Sequence, residues 1–135
     1  MSNLNDDPQI EANRRGVRAV YPGPRELFMD IDSNAASLSM AEMLGVLSSN
    51  GIKVTITDDH PSKSGLPKRH VTLTMGRDVS PIERIALQAC LGSDPKRELL
   101  SLLRIWINAD RPATCFFEPA DPVPAGLLST DDAKF

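Results

Sequence analysis

The residue types best suited to chemistry begin with Asp30 and Asp32, two positions apart in the run Phe28-Met29-Asp30-Ile31-Asp32. On a strand that spacing turns both carboxylates to one side, where they can jointly hold a hard divalent cation, Mg2+ or Mn2+, that binds phosphates through its remaining positions. Repulsion between two unpaired acids favours such an ion. His70 and the loop Ser62-Lys63-Ser64-Gly65 are further candidates, the loop because amides, hydroxyls and a cation suit a phosphate. Each also has a plainer reading. An Asp-x-Asp directly before a helix is ordinary cap or turn chemistry, and a lone His at a strand start is commonly a surface residue. Asp58, Asp59 and His60 could share metal ligation with Asp30, as in a phosphoesterase or nuclease, or belong to a hydrated loop.

These residues need elements to position them. Residues 1–25 lack sustained periodicity and end in Tyr21-Pro22-Gly23-Pro24, so a loosely attached arm is expected. Glu26 to Asp32 alternates Leu27, Met29 and Ile31 against Phe28, Asp30 and Asp32, a first strand. Ser33 or Asn34 can cap a helix that runs to Asn50-Gly51. Ile52 to Thr57 is a second strand with Ile52, Val54 and Ile56 inward, and Asp58 to Lys68 reads as a long hairpin loop. The third strand turns Val71, Leu73 and Met75 inward and His70, Thr72 and Thr74 outward. Ser80-Pro81 opens a helix broken at Gly92-Ser93-Asp94-Pro95, after which a second helical stretch reaches about Ile107 with Leu99, Leu103 and Trp106 on one face. Thr114 to Glu118 is a fourth strand, and 119–135 is a Pro-rich acidic tail without expected structure.

Strand, helix, strand, strand, helix, strand is the split βαβ order of α+β, ferredoxin-like or RRM-like domains, here spanning residues 26–118. It predicts an antiparallel sheet of order 4-1-3-2, with the helices on one face and the other face open. Strands 1 and 3 are then antiparallel neighbours, so Asp30, Asp32 and His70 converge on the open face.

Composition agrees with one domain: 135 residues, 41% hydrophobic and 24% charged, with only 4% aromatic, so the core is aliphatic. No apolar run reaches the roughly 18 residues a membrane span needs, and the polar, acidic start lacks a signal region, so a cytoplasmic protein without a membrane partner is expected. Cys90 and Cys115 are too few for a structural zinc site or a disulfide scaffold. Between Arg14 and Arg111 lie 14 of the 15 Lys and Arg and 11 of the 18 Asp and Glu, which makes that stretch +3 and the two ends together −6. A basic centre between acidic ends is compatible with a polyanionic ligand, although a solvated surface with solubilising tails is the more ordinary reading. No GxGxxG or GxxxxGK[ST] loop is present.

Phe28-Met29-Asp30-Ile31-Asp32, then Ser64-Gly65 leading to Arg69-His70-Val71, then Gly92-Ser93-Asp94-Pro95 with Arg104 beyond, resemble the three motifs of the archaeo-eukaryotic primase and primase-polymerase superfamily. That family's catalytic palm is itself an RRM-like βαββαβ unit, and compact versions are expected from phages and other mobile elements, which would place this chain in a host cytoplasm. The resemblance implies a metal-dependent nucleotidyltransferase for DNA priming, taking nucleoside triphosphates with a single-stranded nucleic-acid template. It assigns Asp30 and Asp32, with Asp94 as third ligand, to the catalytic Mg2+ or Mn2+ ions, and His70 to the triphosphate. Lys63, Ser64, Arg69 and Arg104 would stabilise phosphate charge. Family members carry a further N-terminal subdomain, so a second protein supplying it is an expected partner. A non-catalytic module that binds nucleic acid or a phage protein partner through the open sheet face is the alternative from another class; Phe28 is the one aromatic expected on the central strands of that face.

Overall fold

The computed structural model describes residues 7–108, 110 and 112–120. The elements are α1 (Pro8–Arg15), β1 (Val17–Val20), β2 (Glu26–Ile31), α2 (Asn34–Ser49), β3 (Val54–Pro61), β4 (Arg69–Met75), α3 (Pro81–Cys90), α4 (Pro95–Ile107) and β5 (Phe116–Pro119). They form an α+β fold with four helices and two small antiparallel sheets among the described residues, compatible with a ferredoxin-like arrangement. None of these helices is long and apolar enough to cross a membrane.

The larger sheet has the order β2-β4-β3, as expected for the first three strands. Alternation does the work: Leu27, Met29, Ile31, Val71 and Leu73 are all at most 1% exposed, and they form one core with Met40 of α2, Val79 and Leu91. Ala36, Leu44 and Leu47 bring α2 onto the same cluster.

The fourth strand departs from the expected 4-1-3-2 order. β5 pairs with β1, from Val17↔Pro119 to Val20↔Phe116, and not with β2. The free edge of β2 is already taken by side chains and one amide from α3, α4 and the turn between them. Gln88 Oε1 accepts the Phe28 N–H at 2.7 Å, and Arg84 Nε donates to the Glu26 carbonyl at 2.8 Å. Arg97 donates to the carbonyls of Phe28 (2.6 Å) and Cys115 (2.9 Å). Ser93 Oγ accepts the Asp30 N–H at 2.9 Å, and the Asp94 N–H donates to the Asp30 carbonyl at 2.8 Å. A buried strand edge must find hydrogen bonds somewhere, and here helical residues supply them in place of a strand.

The face expected to be open is covered as well. Phe116 of β5 stacks on Phe28 (centroids 4.2 Å apart) and on His70 (4.1 Å), leaving Phe28 4%, His70 8% and Thr72 8% exposed.

The first 25 residues are also not a loose arm where they are described. Asp7 caps α1 by accepting the Gln9 N–H at 2.8 Å, Pro8 opens the helix, and Gly16, with φ at 68°, closes it. Ala12 is wholly buried, and β1 follows directly as the partner of β5. The expected tail lies outside the described residues after Ala120.

The loop after the second strand is shorter than expected, because β3 continues through Asp58, Asp59 and His60 to Pro61. A register shift between Ile56, opposite Leu73, and Asp58, opposite Thr72, inserts Thr57 as an extra residue. That bulge reverses the alternation, so His60, which without it would share the side of Ile56, stands opposite His70 on the outer face. Ile52 and Ile56, expected inward, remain 44% and 49% exposed, and only Val54 of the three packs against the core. On α4, Leu99 and Trp106 do share a face, but it is an exposed one.

Candidate functional site

Gly92 sets up the site. Its φ of 103° is unfavourable for any residue with a side chain, and a Cβ there would come within 3.3 Å of the Ala36 carbonyl on α2. This close approach lets Ser93 and Asp94 reach the edge of β2, where both bond the backbone of Asp30. Asp94 also caps α4, accepting the Lys96 N–H at 3.1 Å, so its cap role and its place beside Asp30 coexist.

A cleft of about 320 Å³ results, lined by Asp30, Asp32 and Asp94, by His70, by Lys63 and Ser64, and by Arg104. Segments far apart in sequence thus meet at one place. Asp30 is opposite His70 in the β2–β4 register, and its Oδ1 lies 4.0 Å from His70 Nε2. Arg69 is not brought in: its guanidinium forks onto Asp59, and neither residue lines the cleft. Asp58 is likewise outside it, bonded to His60.

The loop from Ser62 to Lys68 is folded on itself by backbone bonds from Ser62 to Lys68 (2.9 Å), Gly65 to Ser62 (2.8 Å) and Lys68 to Gly65 (3.1 Å). It presents Lys63 and Ser64 to the cleft and sets Lys68 Nζ 3.7 Å from Asp32 Oδ1. Lys68, Arg97, Lys96 and Arg15 also line the cleft, so six cationic side chains face three carboxylates. The balance favours an anion with more charge than the acids already offset.

Burial pushes the Asp30 carboxyl above the ordinary carboxylate range; Arg97 and His70 pull it back, while Asp94 and Asp32 add to the rise. An acid held in this way at the mouth of a cleft is one that gains from a cation. The donor chemistry fits Mg2+ or Mn2+, with oxygen ligands throughout. The three carboxylates do not close into a cage: among the described residues the group of three whose ligand atoms all lie within 4.8 Å of one another is His60, His70 and Glu118. One or two carboxylates completed by water and phosphate oxygens is the usual way Mg2+ is held.

Glu118 was not singled out by the sequence. It is 7% exposed on β5, with Oε2 2.8 Å from His70 Nδ1 and 3.0 Å from His60 Nε2. Nothing in the local pattern marks it, because its position depends on β5 lying over the sheet. No protein-family model matches the chain, and no curated protein or solved structure matches it either.

Proposed function

We propose that this cleft binds a nucleoside triphosphate together with a divalent cation, and that the chain is a nucleotidyltransferase palm of the primase-polymerase kind working on single-stranded nucleic acid. The observation that supports this most is the meeting of Asp30 and Asp32, His70, Lys63 and Ser64, Asp94 and Arg104 in one cleft. In this reading Asp30 and Asp32, with Asp94 beside them, hold Mg2+ or Mn2+. The bound ion supplies Lewis-acid charge to the phosphate and to the attacking hydroxyl.

The chain's own residues do the rest. Lys63 and the Ser64 hydroxyl, on the folded loop, bind the outer phosphates. Arg104 faces them from α4 and offsets negative charge that grows on the leaving phosphate. His70 presents Nε2 to the same space, since its Nδ1 is engaged by the Glu118 carboxylate; with protons on both ring nitrogens it donates from Nε2 to a phosphate oxygen. Arg97, tied to the Phe28 carbonyl and to Glu98 (2.6 Å each), keeps the strand edge under Asp30 in place. A second protein that completes the cleft and guides the template belongs to the same proposal.

Titration calorimetry with Mn2+ and a nucleoside triphosphate tests it. Wild type should bind the pair, and Asp30→Ala with Asp32→Ala should lose at least tenfold in affinity; equal binding by the two proteins rejects the reading. Primer extension on a single-stranded template then tests the transfer step separately.

A further inference from the structure

The only two histidines of the chain stand opposite each other in the β3–β4 register, with one carboxylate oxygen between them. We propose that His60 Nε2, His70 Nδ1 and Glu118 Oε2 form a second metal site, selective for Zn2+ over Mg2+, which clamps β5 onto the outer face of the sheet. The site is independent of the triphosphate reading, although the two share the His70 ring.

Three observations support it. The three ligand atoms lie within 4.8 Å of one another, with Glu118 Oε2 2.8 Å and 3.0 Å from the two nitrogens. A tetrahedral zinc with N and O bonds of about 2.0–2.2 Å needs ligand atoms a little over 3 Å apart, so small side-chain shifts admit the ion. His60 Nδ1 is held by Asp58 Oδ2 at 2.7 Å, the arrangement in which an outer carboxylate fixes the ring and directs its other nitrogen to a metal. Two imidazoles and one carboxylate are also a borderline-soft donor set, better matched to zinc than to Mg2+.

The site has an entrance. The His70 and Glu118 side chains are each 10% exposed, whereas that of His60 is 39% exposed, so an ion and a water in the fourth position reach it from the His60 side. The elements joined are distant in sequence: His60 and His70 belong to the sheet, and Glu118 belongs to the ribbon that β5 makes with β1. A metal there ties the two sheets together, and with Nδ1 of His70 as ligand the ring keeps its proton on Nε2, towards Asp30.

The test uses the full chain stripped of metal and titrated with Zn2+ alone, with Co2+ as a spectroscopic substitute. One equivalent should bind, raise the melting temperature, and give Co2+ a visible tetrahedral-type spectrum without thiolate charge transfer. His60→Ala, at a partly exposed position, should weaken binding at least tenfold and remove the melting shift. Asp58→Asn should weaken binding by about 10–100-fold, the usual effect of losing an outer carboxylate. Asp30→Ala with Asp32→Ala should leave Zn2+ binding unchanged, and excess Mg2+ should not displace the ion. Absence of saturable Zn2+ binding, equal affinity in His60→Ala, or a Co2+ spectrum with thiolate charge transfer would each overturn the site. Glu118→Gln should likewise weaken Zn2+ binding at least tenfold; if that variant fails to fold, the His60→Ala spectrum decides alone. Absence of triphosphate binding by the wild-type chain, with Zn2+ binding intact, would count against the cleft and leave this site standing.

Discussion

Gln88 replaces a strand at the edge that carries Asp30, and its removal has a calculable cost. The side chain is wholly buried, accepts the Phe28 N–H at 2.7 Å and donates to Glu98 Oε1 at 2.8 Å. Gln88→Met keeps most of the volume and removes both bonds. It orphans a buried amide, at about 1–3 kcal/mol, and takes a charged-group hydrogen bond worth about 1.5–3 kcal/mol from Glu98. Glu98 keeps its contact with Arg97, so the cost falls towards the middle of that range, about 3–4 kcal/mol. Gln88→Ala adds a cavity and should be worse by about 1–2 kcal/mol. Urea unfolding followed by circular dichroism measures both. Against a typical total stability of about 5–15 kcal/mol, either change is large. A loss below about 1 kcal/mol for Gln88→Met would refute the idea that α3 satisfies the β2 edge, since that is the size of a surface change.

Asp30→Asn should be at least as stable as wild type at neutral pH, while cation-dependent triphosphate binding falls. The Asp30 carboxyl is raised by burial, so its share of stability is complete below the unfolded value and is lost as pH rises through the higher folded one; Asn does not ionise, and the two melting curves should meet in acid. For His60, burial alone would lower the pKa, but hydrogen bonds to Asp58 and Glu118 outweigh it and the value is raised. Its contribution in metal-free protein is therefore present below the unfolded value of about 6.5 and fades as pH climbs through the folded one, so His60→Gln should cost most stability in mild acid. Phe116→Ala removes the ring stacked on Phe28 and His70 and should cost about 3–5 kcal/mol in urea titration; a cost under about 1 kcal/mol would mean that β5 does not cover the sheet.

Much of this was legible in the sequence, and for a common reason. Leu27, Met29, Ile31, Val71 and Leu73 alternate in strands whose core face is one-sided, so periodicity alone located them and put Asp30 beside His70. Asp94 was legible as the cap of α4 through Gly92 and Pro95, which stop one helix and start the next, whereas its place beside Asp30 was expected only from the motif resemblance. What was not legible depends on tertiary choice. The bulge at Thr57 is invisible to a period-2 pattern, and it moves His60 to the face of His70. β5 carries no sign that its neighbour is β1, because pairing is set by Gln88, Arg84 and Arg97 having already taken the edge of β2. Arg69 was misplaced because Asp59, read as loop, is on the adjacent strand and captures it. The α1 signals Asp7-Pro8 and Gly16 were present, but the helix is only 8 residues long and mostly polar, too short to show a stripe.

The central claim is that the residues around Asp30 form one triphosphate site, and amide chemical-shift mapping with Mg2+ and ATP tests it most directly. Shifts should concentrate on residues 30–33, 62–68 and 93–97 and should vanish in Asp30→Ala with Asp32→Ala. Shifts centred on α2 or on the exposed side of β3, or none at saturating ligand, would contradict the account.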